Sequence, residues 1–273
     1  MSDSAVPLFL LLAVLVVTAW RTALWRPRPL PGVDRQKPWL LGHRGVRATG
    51  PSTGSAALPP ENTREAFRAA FEAGLDGVEC DVQQTRDGVL VLFHDERLAD
   101  AAITRSTLAE LQEIDPAIAR LADLLELAKS YPGTVLNLEL KLYRRRGGGI
   151  ERRLAEEVRA NDLTDRVLVS SFDPLALVRL RLAAPEFRIA LLYSPGLPGL
   201  LENGMLAGWL HVDAVHPRFD QVDERLIARA GARELLVNAW TVNDADEVRR
   251  LVSLGASGII ADDPSAMKRA AGR

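Results

Sequence analysis

From Trp39 onward, short apolar runs of strand length alternate with longer runs whose apolar residues recur every three or four positions. The strand-like runs are "WLLGHRG", "GVECDVQQ" with a returning arm "VLVLFHD", "TVLNLELK", "RVLVSSF", "RIALLYS", "AVHPRF", "LLVNAWTV" and "GIIADD". Between them fall helical patterns such as "ENTREAFRAAFEAG", "IARLADLLELAKSYPG", "IERRLAEEVRAND", "PLALVRLRLAAP", "DERLIARAGA" and "DADEVRRLVSLG". In the first of these, Phe67, Ala70 and Phe71 share a face, and Asn62 with Glu65 resembles a capping box. With the returning arm set aside, eight strands each have a helical partner over roughly 230 residues, which predicts an α/β chain folded as a (β/α)8 TIM barrel. A doubly wound open sheet is the runner-up, weakened because no Gly-rich dinucleotide fingerprint follows the first strand.

The second strand breaks the apolar pattern. Strand side chains alternate faces, so Glu79 and Asp81 project together while Val78, Cys80 and Val82 point the other way. Asp87-Gly88 reads as a two-residue hairpin turn. Pairing Arg86 with Val89 then sets Asp81 opposite His94. Carboxylates buried side by side need compensation, and a divalent cation is the simplest compensator; the competing reading is a solvent-facing acidic edge. A barrel also gathers its chemistry at the C-terminal ends of its strands. The polar residues that interrupt the apolar runs fall there: His43 and Arg44, Glu79 and Asp81, Glu139 and Lys141, then Asn238, Trp240 and Thr241. Glu79, Asp81 and Glu139 supply oxygen ligands suited to Mg2+ or Ca2+. His43 and His94 would flank that ion as general base and general acid. Such a set meets the needs of phosphodiester cleavage: charge neutralisation, an activated nucleophile and a protonated leaving group. His211 and His216 lie apart and are read as structural or surface residues.

The N-terminus departs from a globular pattern. "AVPLFLLLAVLVVTAW", Ala5 to Trp20, is unbroken apolar sequence, and with Arg21 snorkelling about 20 residues are available to span a bilayer. The preceding "MSDS" lacks the basic residues of a signal peptide. Residues 5–25 are therefore expected to form a transmembrane or membrane-anchor helix, 26–37 a proline-stiffened linker, and 38–273 the barrel. Arg21, Arg26, Arg28, Arg35 and Lys37 follow the run, which by the positive-inside tendency puts the barrel on the cytoplasmic side of a single span. Composition adds little. Of 273 residues, 47% are hydrophobic and 26% charged, and the net charge of -2 excludes a nucleic-acid footprint. The single cysteine, Cys80, excludes an internal disulfide and a Cys-based zinc site.

"GHRG" (42–45), "PENT" (60–63), "VECDV" (78–82), "FHD" (93–95), "LELK" (138–141) and "WTVN" (240–243), followed by "GIIADDP", together resemble the glycerophosphodiester phosphodiesterase family. The resemblance covers essentially all of the chain after the linker. It implies a metal-dependent barrel hydrolase, using one divalent cation, that cleaves glycerophosphodiesters to sn-glycerol 3-phosphate and an alcohol. Matched residue by residue, it implies His43 and His94 as the acid/base pair without saying which is which. It implies Glu79, Asp81 and Glu139 as metal ligands, Arg44, Glu61 and Lys141 as phosphate-supporting or site-ordering groups, and Trp240 as a wall for glycerol. Water or a substrate hydroxyl is the first nucleophile.

Two departures bear on substrate. The stretch between "FHD" and "LELK" lacks the "RTT" and glycine signature that often accompanies a longer cap, which predicts an open mouth. "RATGPSTGSAALPP" (47–60) is either a lid or a passive loop, and "YRRRGGG" (143–149) is either an anionic-headgroup site or a solvated loop. With the apolar run, these features make lysophospholipids an alternative substrate, cleaved in a lysophospholipase D reaction. A non-catalytic membrane-tethered barrel that holds a phosphorylated ligand is a further alternative, disfavoured by the retention of both histidines. An aldolase-type or isomerase barrel would want a Schiff-base lysine, for which only Lys141 is well placed.

Overall fold

The computed structural model describes residues 24–31, 37–46, 59–143 and 149–272. In chain order its strands are β1 (Trp39–Gly42), β2 (Gly77–Gln84), β3 (Leu90–Leu92), β4 (Arg97–Leu98), β5 (Ala101–Ala102), β6 (Val135–Leu140), β7 (Val167–Ser171), β8 (Arg188–Tyr193), β9 (Ala214–Pro217), β10 (Leu236–Ala239) and β11 (Gly258–Ala261). The helices are α1 (Arg64–Glu72), α2 (Leu108–Ile114), α3 (Leu121–Lys129), α4 (Ile150–Ala160), α5 (Pro174–Ala183), α6 (Ala207–Leu210), α7 (Glu224–Gly231), α8 (Ala245–Leu254) and α9 (Pro264–Ala270). The parallel strands follow the order β1-β11-β10-β9-β8-β7-β6-β2, and pairing of β1 with β2 closes the ring. This is the expected (β/α)8 barrel, with helices on the outside.

Alternation along each strand divides the side chains between two environments. Val78, Cys80 and Val82 of β2, like Leu136 and Leu138 of β6, join the large core between barrel and helices. The inward residues form a separate floor of Trp39, Leu41, Val135, Leu168, Ala214 and neighbours. Burying one such side chain contributes about 1.5–3 kcal/mol, so this small floor stiffens the whole ring. Above it the interior turns polar. Trp39 Nε1 donates to Asn238 Oδ1 (3.0 Å), which leaves the Asn238 amide nitrogen to donate to His216 Nε2 (2.8 Å). Burial pushes the His216 imidazole down to about 3, so it is a neutral structural group. Asn238, expected at the mouth, is thus part of the barrel interior.

Several expectations are corrected. Helix α1 is capped by Thr63, whose hydroxyl accepts from the Ala66 N–H, and not by Asn62. In the hairpin, Val82 pairs with Leu92, Gln83 with Val91 and Gln84 with Leu90, one residue out of the expected register. The turn holds three residues rather than two: Thr85 N–H donates to Val89 O (2.9 Å), and Gly88 takes φ 86°. Phe93, not His94, is therefore opposite Asp81, and its N–H donates to the Asp81 carbonyl at 2.9 Å. The chain between His94 and β6 is also more than a bare connection: its Ile103, Leu111 and Ile118 form a small core with Val91 of β3.

The described part of the expected linker is docked on the barrel, and so is Trp25, which was expected to end the 5–25 anchor helix at the membrane interface. Leu30 packs into the floor cluster, and the Trp25 ring stacks on His211 at 4.9 Å with an 11° interplanar angle. Arg28 bonds Asp213 through its backbone N–H (2.8 Å) and its guanidinium (3.2 Å). Apolar burial and a buried carboxylate thus fix residues that composition alone marks as a spacer. The apolar run 5–20, the loop 47–58 and the triple arginine 144–146 lie outside the described residues. Among the described residues, no helix is long and apolar enough to cross a membrane.

Candidate active site

The site begins in the turn after β1. His43 N–H still donates to Ala261 O on β11 (2.8 Å), after which the chain reverses within four residues. A Cβ on Gly42 would lie 2.0 Å from the Gly45 carbonyl oxygen, so only glycine closes this turn. Arg44 adopts φ 53°, a left-handed conformation that costs a non-glycine residue about 1–2 kcal/mol. The strained turn aims three groups at the barrel axis. The Arg44 N–H donates to Glu79 Oε2 (3.0 Å), its guanidinium reaches Glu61 Oε1 (2.6 Å) and Asp81 Oδ2 (3.2 Å), and His43 points Nε2 toward Glu79 Oε2 at 3.9 Å.

The carboxylates come from adjacent strands in matched register. Glu79 lies beside Asn137, and Asp81 beside Glu139. Ligand oxygens of Glu79, Asp81 and Glu139 all fall within 4.8 Å of one another, and the three residues are buried. Two oxygens that share an ion at 2.0–2.6 Å are at most about 5 Å apart, so the cluster fits one hard divalent cation. Glu79 Oε1 supports that fit, being a buried acceptor with no hydrogen-bond donor.

The electrostatics are divided. Burial first, then Asp81 and Glu139, raises the Glu79 carboxyl well above the ordinary range. Burial pushes the Glu139 carboxyl up to about 7, partly offset by Lys141. Burial acts upward on Asp81 as well, yet Lys141, Arg44 and the Asn62 hydrogen bond act against it, and Asp81 is held low. Lys141 Nζ lies 2.7 Å from Glu139 Oε1 and 3.1 Å from Asp81 Oδ1. Its ammonium is stabilised by those carboxylates in spite of burial.

Three polar residues that sequence reasoning did not place in the site complete the network. Asn62, at φ 57°, donates to Asp81 Oδ2 (2.8 Å) and accepts from the Asp81 N–H (3.2 Å). Asp262, just beyond β11, lies 2.7 Å from His43 Nδ1. Asn243 donates to Asp262 Oδ2 (2.6 Å) and accepts from the Asp262 N–H (2.9 Å). Each sits in a quoted segment, "PENT", "GIIADDP" or "WTVN". The available signal was position at a strand end, which marks the mouth but not the partner. Desolvation lowers the His43 imidazole below its ordinary value despite the Asp262 hydrogen bond. A neutral His43 that donates from Nδ1 to Asp262 leaves Nε2 as a free acceptor.

His94 stands on the hairpin arm, about one-third exposed, with Nδ1 2.7 Å from Asp95 Oδ1. Gln83 Nε2 clamps the arm by donating to Phe93 O (2.7 Å) and Asp95 O (2.6 Å), and the Tyr143 hydroxyl donates to the His94 carbonyl (2.7 Å). Across the mouth, Trp240 donates Nε1 to His216 O (2.8 Å) and meets Phe172 edge-on, ring centroids 5.4 Å apart. Phe172, just beyond β7, was not foreseen as a site residue. Between it and Lys141 opens a cavity of about 340 Å³, lined also by Glu139, Tyr143 and Asp173.

A parallel barrel with a carboxylate cluster, a carboxylate-oriented imidazole and paired cations at its C-terminal mouth belongs to the class of barrel hydrolases built for anionic substrates. Comparison narrows the class. The sequence profile of the glycerophosphoryl diester phosphodiesterase family matches residues 43–266, and the chain belongs to that family. It is similar to a glycerophosphodiester phosphodiesterase of Caldanaerobacter subterraneus, 30% identical over 250 residues that span 85% of this chain and 96% of the relative. One from Bacillus altitudinis is 30% identical over 243 residues, spanning 82% and 94%. Among solved structures, an Oleispira antarctica phosphodiesterase in complex with the product sn-glycerol-3-phosphate is 26% identical, with TM-score 0.69 over 87% of this chain and 98% of that one. A glycerophosphodiester phosphodiesterase from Parabacteroides distasonis shares the fold at TM-score 0.73 and 23% identity, over 86% and 98%.

Proposed function

We propose that this protein hydrolyses glycerophosphodiesters to sn-glycerol 3-phosphate and an alcohol, with His43 as general base and His94 as general acid. One observation carries the assignment of the base: His43 Nδ1 lies against Asp262, which frees Nε2 on the side of Glu79. His43 takes a proton from the attacking oxygen as a new P–O bond forms. His94 gives a proton to the leaving alkoxide as the old one breaks. Glu79, Asp81 and Glu139 would hold Mg2+ or Ca2+, which when bound neutralises phosphoryl charge and acidifies an attacking hydroxyl. Arg44 and Lys141 set the ionisation of Asp81 and offer positive charge to the phosphate, Glu61 holds the Arg44 guanidinium, and Trp240 with Phe172 forms an apolar wall for the glycerol carbons.

A second reading, lysophospholipase D activity at a membrane, is favoured by the apolar run 5–20, which we propose anchors the protein with the barrel on the cytoplasmic side. The test is choline release from soluble glycerophosphocholine and from lysophosphatidylcholine, each with Mg2+, Ca2+ or chelator, with the second product identified. Metal-dependent glycerol 3-phosphate, abolished in His43→Ala, is the expected result. Preferential lysophosphatidic acid would transfer the assignment to the second reading. Silence on both from a folded protein would refute the two together.

A further inference from the structure

We infer that the outer flank formed by α5 and α6 is a bilayer-contacting surface, so that the barrel lies on its side against the membrane. The inference rests on the anchor reading of residues 5–20 and adds the orientation that the described structure imposes on it. Only Arg21–Leu24 separate Trp20, the last residue of the apolar run, from Trp25. A chain that short reaches at most about 18 Å. Trp25 is itself fixed, stacked on His211 just beyond α6 and covered by the Arg181 guanidinium of α5 at 5.3 Å. An anchored domain on so short a tether cannot turn freely, and the bilayer must meet the barrel beside α5 and α6.

The side chains on that flank fit such a neighbour. Among the described residues, six of the eight exposed large apolar side chains lie on α5 and α6 or in the segments that lead into this flank: Leu24, Leu175, Leu182, Leu200, Met205 and Trp209. Helix α5 buries Ala176, Leu177 and Leu180 against the barrel. Its outward side carries two exposed leucines seven residues apart, Leu175 at 61% and Leu182 at 80% exposure, with Val178 between them partly buried against the core. Trp209, 56% exposed on α6, has the amphipathic ring that settles at a headgroup boundary. Exposed Arg229 and Arg233 border the same face and suit anionic headgroups.

The test places a bimane label on single introduced cysteines in the full-length protein; the native Cys80 is buried and should not compete. The sites are Leu182→Cys and Met205→Cys on the flank, Glu65→Cys on α1 across the barrel, and Asp165→Cys near the N-terminal end of β7 on the floor. Each variant is first checked for native circular dichroism, then floated with vesicles of phosphatidylcholine and phosphatidylglycerol carrying nitroxide-labelled lipid. Both flank labels are expected to lose most of their emission while the Glu65 and Asp165 labels keep theirs. Flotation with quenching only at Asp165, at all four sites, or at none would overturn the flank surface and leave the anchor standing. Failure to float would remove the anchor and the flank together. Flank labels shielded without lipid, in a concentration-dependent way, would assign the face to a second copy of the chain and refute the bilayer.

Discussion

Asp262→Asn tests the assignment of the base without removing a side chain. Asn243 is held in one orientation, because its Oδ1 accepts the Asp262 backbone N–H at 2.9 Å and its Nδ2 must therefore face Asp262 Oδ2, at 2.6 Å. An asparagine at 262 satisfies that donor only by turning its own oxygen toward Asn243 and its NH2 toward His43 Nδ1. The imidazole must then accept at Nδ1 and carry its proton on Nε2, the tautomer that cannot act as base. Keeping the working tautomer instead leaves a buried donor–donor contact, a cost of about 1–3 kcal/mol, or roughly 5- to 150-fold in rate. Loss of the carboxylate that stabilises the imidazolium adds to this, and a lost general base costs about 10²–10⁴-fold in all. Asp262→Ala imposes no donor, and a water in the vacated space can accept from Nδ1. The expected order of kcat is therefore wild type, then Asp262→Ala, then Asp262→Asn lowest, with KM for glycerophosphocholine little changed. Asp262→Asn within tenfold of wild type, or clearly faster than Asp262→Ala at equal thermal stability, would refute His43 Nε2 as the base.

Three further outcomes follow from buried charge. Glu139, raised to about 7, holds its proton more tightly folded than unfolded, so its contribution to stability is fully present below its ordinary value of 4.5 and is lost as pH rises through about 7. Divalent cation requires the ionised form, so the gain in Tm on adding Mg2+ or Ca2+ should grow between about pH 5 and pH 8; Glu139→Gln should abolish that gain while raising Tm in chelator. His216 has the opposite sign: pushed down to about 3, it favours the fold above 6.5, and up to about 5 kcal/mol is lost as pH falls through that window. His216→Gln, whose side-chain oxygen can still accept from Asn238, should flatten the acid limb in urea titrations. Arg28→Ala removes one of two guanidinium partners of the buried Asp213, leaving Arg181 at 3.0 Å, and should cost about 2–3 kcal/mol of unfolding free energy.

The barrel was legible because its strands read inward and outward differently. Val78, Cys80 and Val82 against Glu79 and Asp81 is a period-two pattern that a buried helix does not produce, and eight repeats of strand and helix leave few topologies. The hairpin register was not legible, since Asp-Gly suits a two-residue turn and also a three-residue turn ending in a left-handed glycine; Gly88 at φ 86° takes the second. The docked linker was hidden for a different reason. Arg28 finds Asp213, and Leu30 finds Trp39 and Leu168, partners a strand or more away whose contact depends on the closed ring.

The active-site residues divide along the same line. Glu79, Asp81 and Glu139 announce themselves because a charge inside an apolar strand is costly wherever it points, so the anomaly is local. Asp262, Asn243 and Asn62 carry no such anomaly: each lies in a polar segment at a strand end, where an Asp or Asn is ordinary turn chemistry. What makes Asp262 distinctive is that β1 and β11 are neighbours in the closed ring, which sets its carboxylate beside an imidazole 219 positions away in sequence. Ring closure is thus a condition of the base itself. Any change that opens the β1–β11 seam should turn off the imidazole before it disturbs the carboxylate cluster, which is held by the separate seam of β2 with β6.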